Sequence, residues 1–186
     1  ELGAEVNVQS ANGNLEEQRK QIEYFIEKGL DVIVIVCTDS DGLTEQVKRA
    51  REKGIKVIAY DRLITGTELD LYISFDNEMV GTLMAEALMR TEMPRKTVLM
   101  LGGPLTDNNV KLVEGGFRKV MEANGVTILE SVHVENWRAE IAAKYIYNQL
   151  ETVDRADAIM CGNDNVATQV VYALSENRQA GEKPVV

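Results

Sequence analysis

Short apolar runs alternate along the chain with longer segments in which apolar residues recur every three to four positions. The clearest run is residues 31–36, where five consecutive Val and Ile residues follow Asp31, as is typical of a parallel strand buried on both faces. Residues 15–28 instead place Ile22, Phe25 and Ile26 on one face, which is the period of an amphipathic helix. This alternation predicts an α/β fold built on parallel sheets.

The rhythm occurs twice, with a short linker between the two runs. It predicts strands at 6–8, 31–36, 55–59, 72–75, 97–101, 127–134 and 158–161, with another opening at Val185, and helices at 15–28, 43–53, 78–90, 109–124, 138–151 and 166–177. Asn14 with Glu17 predicts a helix N-cap, Gly29 a helix end and Asp76 a further cap. The fold class is therefore α/β with two doubly wound, Rossmann-like lobes.

The predicted domains are an N-terminal lobe at 1–92, a hinge crossover at 93–96 around Pro94, and a C-terminal lobe at 97–186. The first residues resemble a helix end running into a strand, and the last resemble a strand beginning. We therefore expect a fold truncated at both ends. The first lobe would lack its first strand and the second its last strands.

Composition narrows the function classes. The 186 residues contain 20 basic and 30 acidic side chains, a net charge of −10, which argues against a nucleic-acid partner. No apolar run approaches the ~20 residues of a membrane helix. The two cysteines, Cys37 and Cys161, have no metal-ligand spacing and predict buried thiols. Gly102-Gly103-Pro104 is not GxGxxG and has no Walker Lys, so a phosphate or dinucleotide site has weak support. The sequence therefore predicts no cofactor and, from the cysteine spacing, no metal.

Two polar pairs follow predicted strands and are the leading candidates for binding. Asp61-Arg62 comes after the strand at 55–59, and Asn163-Asp164 after that at 158–161. Ligands of open α/β sheets bind at the carboxyl ends of strands, and these pairs offer donors and acceptors for a small polyhydroxylated molecule. The alternatives are a surface salt bridge for Asp61-Arg62 and an N-cap of the next helix for Asn163-Asp164.

Three further candidates lie at strand-to-helix junctions. Asp107-Asn108-Asn109 offers groups to hydroxyls or caps the helix that follows. Trp137, the one tryptophan, offers a flat surface to the C–H face of a sugar or simply packs at a lobe surface. His133, the one histidine, has no Ser or Cys arrangement around it that would support a catalytic triad.

Several stretches together resemble a known family. These are Ala11–Asn14, Gly54–Arg62, Tyr72–Asn77, Leu101–Pro104 with Asp107–Asn109, then Trp137, and Gly162–Asp164. The chain resembles the periplasmic-type pentose-binding proteins of bacterial ABC importers, which are ribose-binding-like, and among them the D-xylose-binding members most of all. The resemblance implies a type I periplasmic-binding-protein fold whose two lobes close on a monosaccharide by a hinge.

The resemblance also implies which residues bind and what the protein does. Arg62, Asn109, Trp137 and Asn163 would contact the sugar, with Asp61, Asp107, Asn108 and Asp164 close by. Further contacts in this family come from segments that lie outside residues 1–186. The ligand would be D-xylose or a related pentose. The closed form would be read by an ABC permease, a chemoreceptor or a sensor histidine kinase, and the location would be periplasmic or lipid-anchored on the cell surface.

Two other functions stay open on the sequence. The effector-binding core of a LacI-type transcription repressor shares this fold, and a helix-turn-helix before Glu1 would support it. An enzyme on a doubly wound fold is a third possibility, but the sequence offers no nucleophile and base in a suitable arrangement. The prediction is a binding protein and not an enzyme.

Overall fold

The structure is a computed structural model that describes residues 3–177 and 184–186. The chain divides into two compact units, Glu1–Ser74 and Phe75–Val186. Each contains a three-stranded sheet in which all pairs are parallel. The predicted α/β class with parallel sheets is confirmed.

The first unit has the sheet order β1-β2-β3. Its elements are α1 (Leu15–Lys28), β1 (Val32–Ile35), α2 (Thr44–Glu52), β2 (Lys56–Tyr60) and β3 (Leu71–Ile73). Residues on one face of the sheet form a core with α1 and α2. The opposite face leaves apolar side chains exposed, among them Val32, Val34, Tyr60 and Ile73.

The second unit has the sheet order β5-β4-β6. Its elements are α3 (Asn77–Leu88), β4 (Thr97–Gly102), α4 (Asn108–Ala123), β5 (Thr127–His133), α5 (Ala139–Asn148), α6 (Leu150–Asp154), β6 (Ala158–Cys161) and α7 (Asp164–Asn177). A core with α3 and α4 covers one face, and a core with α5, α6 and α7 covers the other. As a result β4 is buried from Val98 to Gly102.

Local signals at helix ends act as the sequence predicts. The Asn14 side chain accepts a hydrogen bond from the Glu17 amide at 3.0 Å, and Gly29 ends α1 with a φ of 66°. Asp76 caps α3 by accepting from the Met79 amide at 3.0 Å. Each cap satisfies a backbone group that has no partner inside the helix.

The predicted strand at residues 6–8 is wrong. This segment is not in a ladder, and Val6 and Val8 are 80% and 86% exposed. An alternating Val-Asn-Val segment becomes a strand only where a neighbour supplies backbone partners and an apolar surface. In the described part of the chain β1 pairs only with β2. The predicted helix at 138–151 is also interrupted, because Gln149 leaves helical geometry between α5 and α6.

Because α3 packs on α4, it belongs to the second unit, and the first unit ends at Ser74. A Cβ at Gly81 or Gly116 would overlap backbone atoms of the other helix, so the two helices approach closely at these glycines. The predicted domain limits, 1–92 and 97–186 around a crossover at 93–96, concern hinged lobes rather than packing units and stay a prediction.

Candidate functional site

At the carboxyl edge of the first sheet, the backbone of Asp61 is held in an uncommon conformation. Asp61 directly follows β2 and has a φ of 64°, a region that costs energy for residues other than glycine. Its amide donates to the Ile73 carbonyl at 2.8 Å, and its own carbonyl accepts from the Ser74 hydroxyl at 2.7 Å. Two bonds to the end of β3 therefore fix this turn, as expected where a strained residue serves a function.

Arg62 joins the ends of two strands of the same sheet. Its Nη1 donates to the Cys37 carbonyl beyond β1 at 3.3 Å, and the Cys37 thiol donates back to the Arg62 carbonyl at 3.6 Å. A guanidinium has five N–H donors, and this contact, which uses one of them, orients the side chain. Asp61 and Arg62 thus lie together at one sheet edge, as predicted.

At the carboxyl edge of the second sheet, glycines make room for the Trp137 indole. A Cβ at Gly103, just after β4, would overlap the indole, and a Cβ at Gly162, just after β6, would lie 3.1 Å from its Cζ3. Trp137 and Asn136 have φ values of 57° and 50°, and this tight turn brings the ring back over the strand ends. Within the described residues, the indole Nε1 is buried without a hydrogen-bond partner.

Two of the predicted polar residues in the second unit cap helices. Asp107 is 3% exposed and accepts from the Asn109 amide at 3.0 Å, which caps α4. The Asn163 oxygen accepts from the Val166 amide at 2.8 Å, which caps α7. The capping alternative therefore applies to Asp107 and Asn163. Asn108 and Asn109 begin α4, and the exposed Asp164 begins α7.

Sequence reasoning missed a buried contact between a carboxylate and an imidazole beneath the same edge. Glu114 of α4 is 7% exposed, and its Oε1 lies 3.4 Å from His133 Nδ1. Burial raises the pKa of the Glu114 carboxyl, and the charges of His133 and Arg118 oppose that rise. The signal was present, because Glu114 lies between Val110 and Phe117 on the apolar face of α4.

Three further observations concern the cysteine thiols, metal binding and membrane-spanning helices. Burial raises the pKa of the Cys161 thiol to about 12, so it is protonated at neutral pH. Cys37 is also buried. Among residues 3–177 and 184–186, no group of three His, Cys, Asp or Glu side chains is arranged to hold a metal ion. No helix in this part of the chain combines the length and apolar character needed to cross a membrane.

The structure thus groups the predicted residues into two sets, one on each unit. Asp61 and Arg62 form the first set. The second contains the remaining predicted residues, which follow β4, β5 and β6: Asp107, Asn108, Asn109, Trp137, Asn163 and Asp164.

Comparison with curated proteins identifies close relatives. The family model "Periplasmic binding protein domain" matches residues 1–186. The D-xylose-binding periplasmic protein of Escherichia coli (strain K12) is 41% identical over 97% of this chain and 56% of its own length. That of Haemophilus influenzae is 39% identical over the same shares. The chain therefore spans little more than half the length of these relatives.

Solved structures agree on the fold. A solute-binding protein of an ABC transporter from Clostridium phytofermentans, solved with bound β-D-glucose, has a TM-score of 0.83 and 30% identity, covering 94% of this chain and 60% of that one. The fructose-binding periplasmic domain of a hybrid two-component system has a TM-score of 0.87 over 95% of this chain and 59% of that one, and at 22% identity it shows the fold alone.

These relatives are solute-binding proteins rather than enzymes, and they give no support to a LacI-type repressor core. The resemblance seen in the sequence is confirmed. The chain belongs to the periplasmic binding protein family and has its type I fold.

Proposed function

We propose that this chain is part of an extracytoplasmic protein that binds D-xylose or a related pentose without making or breaking bonds. The seating of the Trp137 indole against Gly103 and Gly162 carries the proposal, because it places an aromatic surface among polar groups at a carboxyl sheet edge. The roughly 40% identity to two D-xylose-binding periplasmic proteins supports xylose as the ligand.

The proposed contacts suit the chemistry of a sugar. Arg62 donates to ring and hydroxyl oxygens, and Asp61 accepts from hydroxyls. The indole covers the apolar C–H face. Further hydrogen-bond partners for the sugar hydroxyls are the amides and carboxylates of Asp107, Asn108, Asn109, Asn163 and Asp164. An unpaired buried polar group costs about 1–3 kcal/mol, so a pentose whose hydroxyls lack partners is rejected.

Binding has its effect through conformation. A ligand that binds one state of a protein better than another shifts the population toward that state. We propose that the sugar-bound, closed form is read by a membrane partner, which is an ABC permease, a chemoreceptor or a sensor histidine kinase.

The direct test is a calorimetric titration of the full-length protein with D-xylose. Micromolar affinity requires about −8 kcal/mol. Arg62→Ala should abolish measurable binding while circular dichroism stays unchanged. Arg49→Ala is the matched control, because Arg49 lies on the exposed surface of α2 and pairs with Glu23 at 2.6 Å. Unchanged affinity in Arg62→Ala would refute the assignment of this residue.

A second titration follows the emission of Trp137. D-Xylose should change the emission, whereas an unrelated hexose alcohol should not, because only the matching sugar covers the indole. A flat response to D-xylose would remove Trp137 from the site.

A further inference from the structure

Glu114 occupies a place where a carboxylate is costly. It is 7% exposed and shares the inward face of α4 with Val110 and Phe117, which are 4% and 1% exposed. A buried charge needs a partner to offset the loss of water. In the described part of the chain its Oε1 has no hydrogen bond. The nearby charged groups are His133 at 3.4 Å and Arg118, whose Nη2 lies 3.9 Å from Oε2.

His133 connects this carboxylate to the loop after β4. It ends β5 and pairs with Gly102 in the sheet, and its Nδ1 lies 3.2 Å from the Gly103 carbonyl oxygen. A carbonyl oxygen only accepts, so this contact is a hydrogen bond when Nδ1 carries the hydrogen. The Glu114 carboxylate beside the same nitrogen favours the tautomer that carries the hydrogen on Nδ1.

The contacts form one continuous series from α4 to the indole. The Glu114 carboxylate fills the space where Gly102 has no Cβ, and the Trp137 ring fills the corresponding space at Gly103. His133 contacts the carbonyl oxygen of Gly103, and the Trp137 ring packs against the Cα of the same glycine. A displacement of the Glu114 or His133 side chain therefore displaces the Gly102-Gly103 backbone against which the indole packs.

We propose that Glu114 and His133 are positioning residues for Trp137, which act through Gly103 and lose this action when the Glu114 carboxylate takes up a proton. The effect on sugar affinity rests on the function proposed above. The effect on the indole does not depend on it.

Other acidic side chains on the elements packed around Glu114 have partners of their own. Asp107 at the start of α4 accepts from the Asn109 amide at 3.0 Å. β4 contributes no titratable side chain. On β5, Glu130 accepts from the Tyr145 hydroxyl at 2.7 Å. On α3, Glu78 contacts Lys119. Because burial raises the pKa of Glu114, its carboxylate takes up a proton at a higher pH than exposed carboxylates do, and the attraction to His133 is then lost.

The experiment follows the emission of Trp137, the one tryptophan of residues 1–186, without sugar, from about pH 8 to about pH 4.5. Wild-type emission should change at a pH above that of exposed carboxyls, and Glu114→Gln should remove this step. Glu135→Gln is the matched control, since Glu135 is exposed and two residues from Trp137. Circular dichroism restricts the comparison to folded protein.

A titration with D-xylose measures how the variants change the affinity for the sugar. Glu114→Gln should bind about fivefold more weakly at pH 7, the equivalent of one hydrogen bond, and its affinity should not vary down to about pH 5. Wild-type affinity should fall over that range. His133→Gln keeps a donor for Gly103 without an imidazole, and should lose the emission step even if Glu114→Gln does not fold.

Wild-type emission and affinity at every pH in either variant would overturn the positioning role. If the wild-type protein does not bind D-xylose, the proposed function fails, while the emission measurements still decide whether the pair positions Trp137.

Discussion

Individual residues at both sheet edges adopt backbone conformations that cost stability. Asp61, Asn136 and Trp137 all have positive φ, where a side chain meets the backbone and costs about 1–2 kcal/mol. The sequence places Asp61 and Trp137 correctly at strand ends, because the alternation of strands and helices is regular. It does not reveal their φ values, which depend on hydrogen bonds to neighbouring strands such as that from the Asp61 amide to Ile73.

Asp61→Gly separates the backbone conformation at this position from the proposed role of the carboxylate in sugar binding. Glycine accepts a φ of 64° without strain, so the free energy of unfolding should stay equal or rise by up to about 1 kcal/mol. D-Xylose affinity should fall at least tenfold, because the carboxylate acceptor is lost. Arg49→Ala is again the control for affinity, since Arg49 pairs with Glu23 on the exposed surface of α2 and lies outside the proposed site. Equal loss of affinity in both variants would contradict the proposed role of Asp61.

Cys161 should make stability depend on alkaline pH. Its pKa of about 12 in the folded protein exceeds the value of about 8.5 expected when unfolded. The unfolded chain therefore loses this proton first, and stability falls as pH rises from about 8.5 to about 12, by up to about 1.4 kcal/mol per pH unit. Urea unfolding at about pH 8 and about pH 10 should show a smaller loss in Cys161→Ala than in wild type. An equal loss would contradict the burial effect.

Helices were the most predictable elements, because their end signals are local. The limits of α1 match the prediction at both ends, where Asn14 and Gly29 act through their own backbone neighbours. The strand at 6–8 failed because pairing depends on a distant segment. The position of Glu114 on the apolar face of α4 signals its burial, but its contact with His133 depends on a distant segment, since α4 and β5 meet only after folding.

Asn163 has a role in its helix that is separable from sugar binding. Its oxygen caps α7 through the Val166 amide, so Asn163→Ala should lower the free energy of unfolding by about 1 kcal/mol. Asn163→Asp keeps the acceptor and favours the helix N-terminus, so stability should be retained while the amide donor is lost. Urea unfolding and xylose calorimetry on both variants measure the two effects. Wild-type affinity in Asn163→Asp would exclude its amide as a sugar contact.

The two sheets of the molecule are covered to different extents. The first has α1 and α2 on one face and exposed Val34 and Ile73 on the other, whereas the second is covered on both. Buried apolar area is the main source of stability. The composition of β1 does not reveal this difference, because a continuous apolar run is the same whether or not helices cover both faces.

Hydrogen exchange should report this difference. Amides of β4 should exchange most slowly, because the strand is paired on both sides and buried from Val98 to Gly102. Amides of β1 should exchange earlier, since local opening costs less where fewer apolar contacts are lost. Mass spectrometry of peptides that cover each strand gives the order. Slower exchange in β1 than in β4 would contradict this account.

The glycines at the second sheet edge have a consequence for redesign. Gly102, Gly103 and Gly162 leave space that Glu114 and Trp137 occupy, so the shape of this edge is determined by missing side chains. A side chain at Gly102 or Gly103 would overlap Glu114 or Trp137, and one at Gly162 would require the indole to shift. A library for a biosensor should keep these three glycines fixed and vary exposed polar residues of this edge such as Asp164, where a new side chain meets solvent.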